Sequence, residues 1–332
     1  MKIPETAEKA KVTMPDADMK KSAGKGAEEE LFQGKIISCI GGIYTVASSF
    51  SGEEKLYPCS ARGVFRHNGV TPVAGDNVKF FIEKGGKGCV YSVEERKNFL
   101  LRPPLSNLDV LFIVCAAASP DPSTLAIDKL SCLAHFHGIE PVVIVNKAEL
   151  DPDSAENLKN VYEKCGHRVI VFSQSDHDTA PDLILPIVKG KVCAFAGVSG
   201  VGKSTIINAI FGTNALKTGE LSLRLRRGRN TTRDSILYRA SDDTYIADTP
   251  GFSLLDFGKY YIMSKSELPY SFMEFEKYIG KCRYTKCTHT VEEGCAVLDA
   301  VSGGDIPRSR HDSYLYLYEC VKKHNEWDKK TL

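Results

Sequence analysis

One octapeptide limits the chain's possible folds more than anything else in it. Gly197-Val198-Ser199-Gly200-Val201-Gly202-Lys203-Ser204 satisfies G-x-x-x-x-G-K-[ST] at every fixed position, and Thr205 follows. Before it, Lys191-Val192-Cys193-Ala194-Phe195-Ala196 reads as a buried strand; after it, Thr205 to Phe211 reads as a helix. A strand, a glycine-rich turn and a helix N-terminus together aim successive backbone N–H groups at phosphate oxygens. In that frame Lys203 neutralises the β- and γ-phosphates and Ser204 holds Mg²⁺. The expected ligand is a nucleoside triphosphate.

The surroundings of the motif alternate strand and helix. Val110 to Ala116 reads as a buried strand, Ser123 to His137 as an amphipathic helix, and Pro141 to Val145 as a strand. Asp153 to Cys165 then reads as a helix and Arg168 to Phe172 as a strand. Such a series predicts a parallel sheet with helices on both faces. Asn146-Lys147-Ala148-Glu149 follows one of the buried strands, where a guanine-reading N-K-x-D loop would sit. The carboxylate of such a loop accepts from guanine N1–H and N2–H₂. Adenine would leave it unpaired, a large penalty for a buried polar group. Glu149 stands where aspartate is usual, and its extra methylene still delivers two acceptor oxygens at some cost in geometry.

Asp248-Thr249-Pro250-Gly251 ends the strand Thr244 to Ala247 and fits a D-x-x-G loop. Asp248 would hold Mg²⁺ through water, and the Gly251 amide would sense the γ-phosphate. Between these phosphate elements lies Arg224-Leu225-Arg226-Arg227-Gly228-Arg229-Asn230-Thr231-Thr232-Arg233, too basic for a core element and read as a mobile loop. Either Thr231 or Thr232 is the expected Mg²⁺ and γ-phosphate contact of a first switch. The arginines are either a solvated face, anchors for RNA or charge stabilisers for the transferred phosphoryl group.

Flanking regions add two further modules. From Gly34 to Val93, five short β-runs broken by turns fit a small barrel of the OB type. Arg62, Phe65, Arg66 and His67 are candidates for a nucleic-acid face on it. Arg96 to Asp109, with Arg102-Pro103-Pro104, reads as an extended linker because the prolines exclude helix. Near the other end, Cys282-x₄-Cys287-x-His289-x₅-Cys295 offers three thiols and an imidazole at spacings suited to a closed, structural zinc site. Lys281, Arg283 and Lys286 give it a basic edge. The last helix is expected from Pro307 to Lys330, with Tyr314, Leu315, Leu317, Tyr318 and Val321 as packing residues.

Composition excludes little: 332 residues carry a net charge of +1. The longest apolar run, Val110 to Ala118, is far short of the roughly twenty residues needed to span a bilayer. Most of the eleven cysteines sit singly in apolar segments, among them Cys39, Cys115, Cys132 and Cys193, and read as buried thiols in a reducing compartment. A cytoplasmic monomer is the expected form. Residues 1–32 read as a disordered tail, and Leu31-Phe32-Gln33-Gly34 at its end is either a protease-site remnant or native sequence.

The order of the motifs is a circular permutation: base-reading loop, phosphate loop, first switch, second switch. With Arg62-Gly63 and Gly75-Asp76 in the barrel, Arg96-Lys97-Asn98, Asn107 and Asp109 in the linker, and the cysteine cluster, the chain resembles the RsgA (YjeQ) family. These are the circularly permuted GTPases of small ribosomal subunit biogenesis. The resemblance implies a barrel over 33–97, a permuted GTPase domain over 98–260 and a helical zinc module over 261–332. It also implies GTP and GDP as ligands, Mg²⁺ with GTP, one structural Zn²⁺, and the small subunit and its rRNA as partner. Lys203, Asn230, Thr231, Thr232, Asp248 and Gly251 are the expected catalytic set. Nucleotide contacts are expected from Asn146 to Glu149, from Ser173 and from Gly197 to Thr205, with Mg²⁺ on Ser204, Thr232 and Asp248. Two positions depart from the family: Asn230 replaces a histidine proposed to act on the attacking water, and Gln174 follows Ser173 where alanine is usual. Phe252, where Ras-like enzymes carry a water-orienting glutamine, implies slow hydrolysis by the chain alone. Two readings from other classes are open: an RNA-binding switch with incidental hydrolysis, and an ATP-using phosphate-loop enzyme.

Overall fold

The computed structural model describes residues 30–49, 55–62, 65, 70–176, 179–213, 235–241, 243–248 and 263–322. They fall into two compact units. The first draws on Met1–Leu108, Gly190–Val192 and Thr218–Pro250, the second on Asp109–Lys189, Cys193–Lys217 and Gly251–Leu332.

In the first unit β1 (Phe32–Ile40), β2 (Ile43–Ser48), β3 (Lys55–Ala61), β4 (Asn77–Ile82) and β5 (Gly88–Val93) close a five-stranded barrel. β1 pairs with β2 and β4, β2 with β3, and β4 with β5, all antiparallel, while β3 pairs parallel with β5. Inward residues meet as Ile36, Tyr44, Val46, Cys59, Val78, Phe80, Val90 and Val93, with the period-two spacing of a filled barrel in β2 (Tyr44, Val46) and β4 (Val78, Phe80). Phe65 belongs to this core at 4 % exposure, so it is no part of a nucleic-acid face. Its neighbours in sequence are basic, but an aromatic ring gains more from burial than from standing beside them. Arg62 does sit against aromatic rings, its guanidinium 5.0 Å from the Tyr91 centroid and 5.8 Å from that of Phe81. Phe32, Gln33 and Gly34 pair with Phe80, Lys79 and Val78, so the stretch expected in or beside a tail contributes to the barrel wall.

The expected linker is a clamped hairpin. β6 (Phe99–Leu101) and β7 (Pro104–Ser106) pair antiparallel, with Leu100 and Leu105 buried. Asn98 closes the hairpin's ends by donating to the Leu108 carbonyl (2.7 Å) and accepting from the Leu108 amide (2.9 Å). Asn107 donates to the Gly75 carbonyl (2.9 Å) and accepts from the Lys97 amide (2.7 Å). Buried Asp76 accepts from Arg96 Nε (2.7 Å), Arg96 Nη2 (2.8 Å), Ser106 Oγ (2.6 Å) and the Val73 amide (2.8 Å). The polar residues that mark this stretch in the sequence are therefore the bonds that fix the hairpin to the barrel.

The second unit holds a four-stranded parallel sheet built from β8 (Val110–Ala116), β9 (Glu140–Asn146), β10 (Arg168–Val171) and β11 (Val192–Ala196). The order is β10-β9-β8-β11, with Val110 opposite both Glu140 and Cys193. All seven residues of β8 are buried, as an interior strand of a parallel sheet covered on both faces must be. Around the sheet lie α1 (Thr124–Phe136), α2 (Pro152–Lys164), α3 (Ala180–Val188) and α4 (Lys203–Thr213). Ser123 caps α1 by accepting from the Ala126 amide, and Asp151 caps α2 by accepting from that of Ser154, with Pro152 in the first turn. Burial pushes the thiols of Cys115 and Cys132 up to about 12, the inert state of a packing cysteine. Cys193 is buried too, whereas Cys39 is only half-buried.

Back in the first unit, β12 (Ile236–Ser241) and β13 (Thr244–Asp248) form an antiparallel hairpin, and Ile236 pairs with Ser38 of β1. The chain's last described segment belongs to the second unit. It comprises 3₁₀ turns at Leu268–Ser271 and Met273–Phe275, then α5 (Ala296–Ser302) and α6 (Arg308–Val321). Phe272, Phe275 and Tyr314 meet there with ring centroids 5.0–5.4 Å apart. Tyr314, Leu317 and Val321 are buried, while Leu315 and Tyr318 are half-buried. Among the described residues no helix is long and apolar enough to cross a membrane.

Candidate nucleotide site and metal centre

The phosphate loop leaves the end of β11 through glycines at which a side chain would force its surroundings to move. At Gly197 (φ +144°) a Cβ would lie 2.1 Å from the Val114 carbonyl oxygen, and at Gly202 (φ +96°) 2.2 Å from Asn146 Nδ2. Both positions combine a backbone angle that side chains avoid with a contact that excludes one. The second contact shows what the loop is packed against. Asn146, at the end of β9 and 1 % exposed, donates from Nδ2 to the Val201 carbonyl at 2.8 Å. The tetrapeptide that the sequence assigns to the base and the phosphate loop are thus joined by a buried hydrogen bond between residues 55 apart in sequence.

Lys203 opens α4, and its Nζ donates to the carbonyls of Gly197 (2.9 Å) and Val198 (2.8 Å). The ammonium group lies across the cradle that the sequence assigns to phosphates. Ser204 and Thr205 are exposed in the first turn of the helix, where the dipole favours an anion and its counter-cation. Lys147 takes a left-handed conformation (φ 57°), and its Nζ donates to the Ser119 carbonyl. The Ala148 amide donates to the Phe172 carbonyl at 3.0 Å. Glu149 is exposed in the first turn of the 3₁₀ helix Ala148–Leu150. The Ser173 amide is engaged by Asp176 Oδ2 at 2.9 Å. Asn146 to Glu149, Ser173 and Gly197 to Thr205 therefore all lie in one unit, at or just beyond the ends of strands of one sheet, where open α/β sheets bind ligands. Asp248 closes β13. Asn230, Thr231, Thr232, Gly251 and Phe252 lie outside the described residues, as do Arg66 and His67.

The cysteine cluster assembles as the spacing requires. The ligand atoms of Cys282, Cys287, His289 and Cys295 lie within 4.8 Å of one another. Cys282 Sγ is 3.5 Å from His289 Nδ1 and 3.9 Å from Cys295 Sγ, and His289 Nδ1 is 3.4 Å from Cys295 Sγ. A tetrahedron with Zn–S near 2.3 Å and Zn–N near 2.0 Å has S···S edges of about 3.8 Å and S···N edges of about 3.5 Å. The donors fit zinc, with His289 presenting Nδ1. Without a cation, burial followed by the neighbouring thiols pushes Cys287 up to about 12, and a bound divalent ion removes that resistance to ionisation.

A second layer holds these ligands. His311 Nε2 bonds the His289 carbonyl at 2.9 Å, and the Tyr314 hydroxyl donates to the Thr288 carbonyl. Glu292 accepts from the amides of Thr288 (2.6 Å), Thr290 (2.9 Å) and Val291 (3.1 Å). Burial opposes its ionisation, but the Thr288 hydroxyl and these amides outweigh it and bring the carboxyl down to about 2.

One group escaped the sequence reading altogether. Arg310 on α6 is fully buried and joins two buried carboxylates, Asp128 of α1 and Glu274 of a 3₁₀ turn. Nothing local signals it, because its partners lie 182 and 36 residues away.

Comparison with known proteins agrees with this architecture. The family model described as RsgA GTPase matches residues 93–258, and that of the RsgA N-terminal domain matches residues 33–90. A small ribosomal subunit biogenesis GTPase RsgA of Ruminiclostridium cellulolyticum is 37% identical over 87% of this chain and 93% of its own. The Caldanaerobacter subterraneus protein of the same name is 39% identical over 89% and 97%. Among solved structures, YloQ, a circularly permuted GTPase, superposes with a TM-score of 0.72 at 29% identity over 91% of this chain and 99% of that one. YjeQ from Thermotoga maritima gives 0.72 at 28% identity over 87% and 98%. With these matches, and with its five-stranded barrel, phosphate loop and Cys₃His cluster, the chain belongs to the RsgA family of circularly permuted GTPases and is a GTP hydrolase.

Proposed function

We propose that this GTPase acts as a cytoplasmic monomer on the small ribosomal subunit, gripping its rRNA and coupling GTP hydrolysis to a late assembly step and to its own release. The observation that carries this reading is the buried Asn146–Val201 bond. It ties the loop that would read guanine to the loop that would hold its phosphates, within a chain whose relatives are named for small-subunit biogenesis. Glu149 accepts from the guanine Watson–Crick edge, with the stem of Lys147 along the base and Ser173 beside it. Lys203 leaves the Gly197 and Val198 carbonyls for the β- and γ-phosphates, and the amides from Val198 to Thr205 surround them.

Ser204, one of Thr231 and Thr232, and Asp248 would hold Mg²⁺, which neutralises charge on the transferred phosphoryl group. Gly251 senses the γ-phosphate, and Asn230 orients the attacking water. An amide can orient water but cannot take up a proton near neutral pH. With Phe252 in place of a glutamine, hydrolysis by the chain alone is slow, and the subunit accelerates it by ordering the switch segments. The cysteine cluster holds one zinc ion in a closed structural site.

Single-turnover GTP hydrolysis with and without purified small subunits tests this reading. The expected result is acceleration by subunits, with release of the protein after hydrolysis and retention with a non-hydrolysable analogue. Equal turnover in both conditions, or equal release with the analogue, overturns it.

A further inference from the structure

Beside the metal cluster lies a cleft that the nucleotide machinery does not use. Its volume is about 750 Å³, within the roughly 300–1,000 Å³ of ordinary ligand sites. Tyr270, Tyr284 and Tyr318 line it together with Lys265 and Lys286, and no carboxylate is among the described residues of its lining. Two acids close in sequence to lining residues are engaged elsewhere. Glu267 accepts from the Ser264 amide (2.7 Å) and hydroxyl (2.8 Å), and Glu292 from the amides of its own loop.

The walls are braced. Cys282, Cys287 and His289 also line the cleft, so the metal cluster sets the position of one wall. Tyr318 packs on Tyr314 with ring centroids 6.2 Å apart, and Tyr314 is tied to the Thr288 carbonyl. Tyr284, 49% exposed, has the Arg283 guanidinium 5.6 Å from its ring centroid. A braced cavity offering rings and ammonium groups, with no carboxylate in its described lining, is complementary to a ligand with flat π-faces and an anionic backbone.

We propose that this cleft receives an unpaired ribonucleotide, its base stacked on a tyrosine and its flanking phosphates held by Lys265 and Lys286. The proposal rests on the rRNA-binding reading above and adds to it both the place and the state of the RNA. A concave site of this size admits a splayed-out nucleotide. A duplex, whose bases hide their faces in the stack, has nothing to insert. An acidic peptide would satisfy the lysines equally well but would leave the tyrosine faces unused.

The test uses the full-length, zinc-loaded protein and fluorescence anisotropy with a labelled oligoadenylate, set against the same strand annealed to its oligouridylate complement. The single strand is expected to bind more tightly. Tyr284→Ala and Lys286→Ala should each weaken it about tenfold, with Tyr284→Phe close to the parent and GTP turnover without RNA unchanged in all three. Tyr284 and Lys286 are exposed, so these variants keep the fold, and zinc content verifies it. Equal affinity for strand and duplex, a Tyr284→Ala variant matching the parent, or tighter binding of poly-glutamate than of the oligonucleotide overturns the proposal. Co-sedimentation with small subunits separates the two levels. A parent protein that fails to pellet refutes the ribosomal reading, whereas one that pellets but is indifferent to the cleft variants refutes the cleft alone.

Discussion

Arg310→Met is the substitution whose cost the structure lets one work out. The guanidinium is held by Glu274 at both ends, Nε to Oε1 at 2.6 Å and Nη2 to Oε2 at 3.1 Å. Its Nη1 reaches Asp128 Oδ1 at 2.6 Å and Ser131 Oγ at 3.0 Å, and the group lies 4.8 Å from the Phe272 centroid. Methionine fills the space but leaves two carboxylates in the interior without their cation. Each must stay ionised there or take up a proton. For a carboxyl with a free value near 4.3, protonation at pH 7 costs about 4 kcal/mol, and at pH 5 about 1 kcal/mol. Burial already raises Asp128 in the parent despite Arg310, so part of its cost is present before the substitution. Glu274 is the partner with more to lose. Burial opposes its ionisation as well, but the Arg310 charge and hydrogen bonds win and hold its carboxyl below the ordinary value. The expected destabilisation is about 3–5 kcal/mol at pH 7, shrinking to about 1–2 kcal/mol at pH 5.

In the parent, Glu274 adds stability that is present above its unfolded value and lost as pH falls through its lower folded one. Asp128 works the other way. Keeping it ionised costs stability above its raised folded value, and acid relieves that cost. Urea unfolding of zinc-saturated protein at the two pH values measures all of this. Adding Glu274→Gln and Asp128→Asn to Arg310→Met should restore most of the loss, because an uncharged core of similar volume leaves no stranded charge. A loss under about 1 kcal/mol at pH 7, or one that does not shrink at pH 5, refutes the reasoning.

Three further outcomes are expected. A strong chelator should remove one zinc ion per chain by elemental analysis and expose the Cys282–Cys295 loop to protease; if the loop is equally resistant after metal removal, the metal does not hold it. Gly202→Ala forces a Cβ onto Asn146 Nδ2, so GTP affinity by calorimetry should fall at least about tenfold, or roughly 1.4 kcal/mol, with an unchanged Kd counting against the packing argument. Asp76→Ala strands Arg96 and the Val73 amide, so the barrel should lose about 3 kcal/mol in urea unfolding, and a loss under about 1 kcal/mol would assign those bonds to solvent instead.

What could be read in the sequence was whatever depends on local chemistry. The phosphate loop needs its glycines and lysine at fixed spacing, the barrel strands alternate, and the thiols and imidazole cluster within one short loop. Interactions between distant segments were not legible. Arg310, flanked by Arg308 and Asp312, looks like one more surface charge on a polar helix, and only the approach of α1 and the 3₁₀ turn makes it a buried junction. Helix α3 was hidden by Pro181 and Pro186, which argue against helix, although the first sits in the opening turn where proline is tolerated. The hairpin partner β12 spans only six residues close behind the arginine-rich segment, too short an alternation to stand out from it. The prolines of Arg102-Pro103-Pro104 correctly excluded helix, but no local rule says that Asn107 will stitch such a segment to a barrel, or that Asn98 will close its ends.

The same distinction bears on how the nucleotide site works. Lys203 Nζ lies on the Gly197 and Val198 carbonyls, so holding a phosphate means exchanging those partners, and the affinity then measures the surplus of phosphate contacts over carbonyl ones. Asn146 is placed differently. Its bond to Val201 is buried and fixes the distance between the tetrapeptide assigned to the base and the cradle assigned to the phosphates. A nucleotide whose base and phosphates do not match that distance must either leave one end unsatisfied or break the Asn146–Val201 bond. Selectivity in this site thus resides in the spacing between two loops as much as in the residues of either.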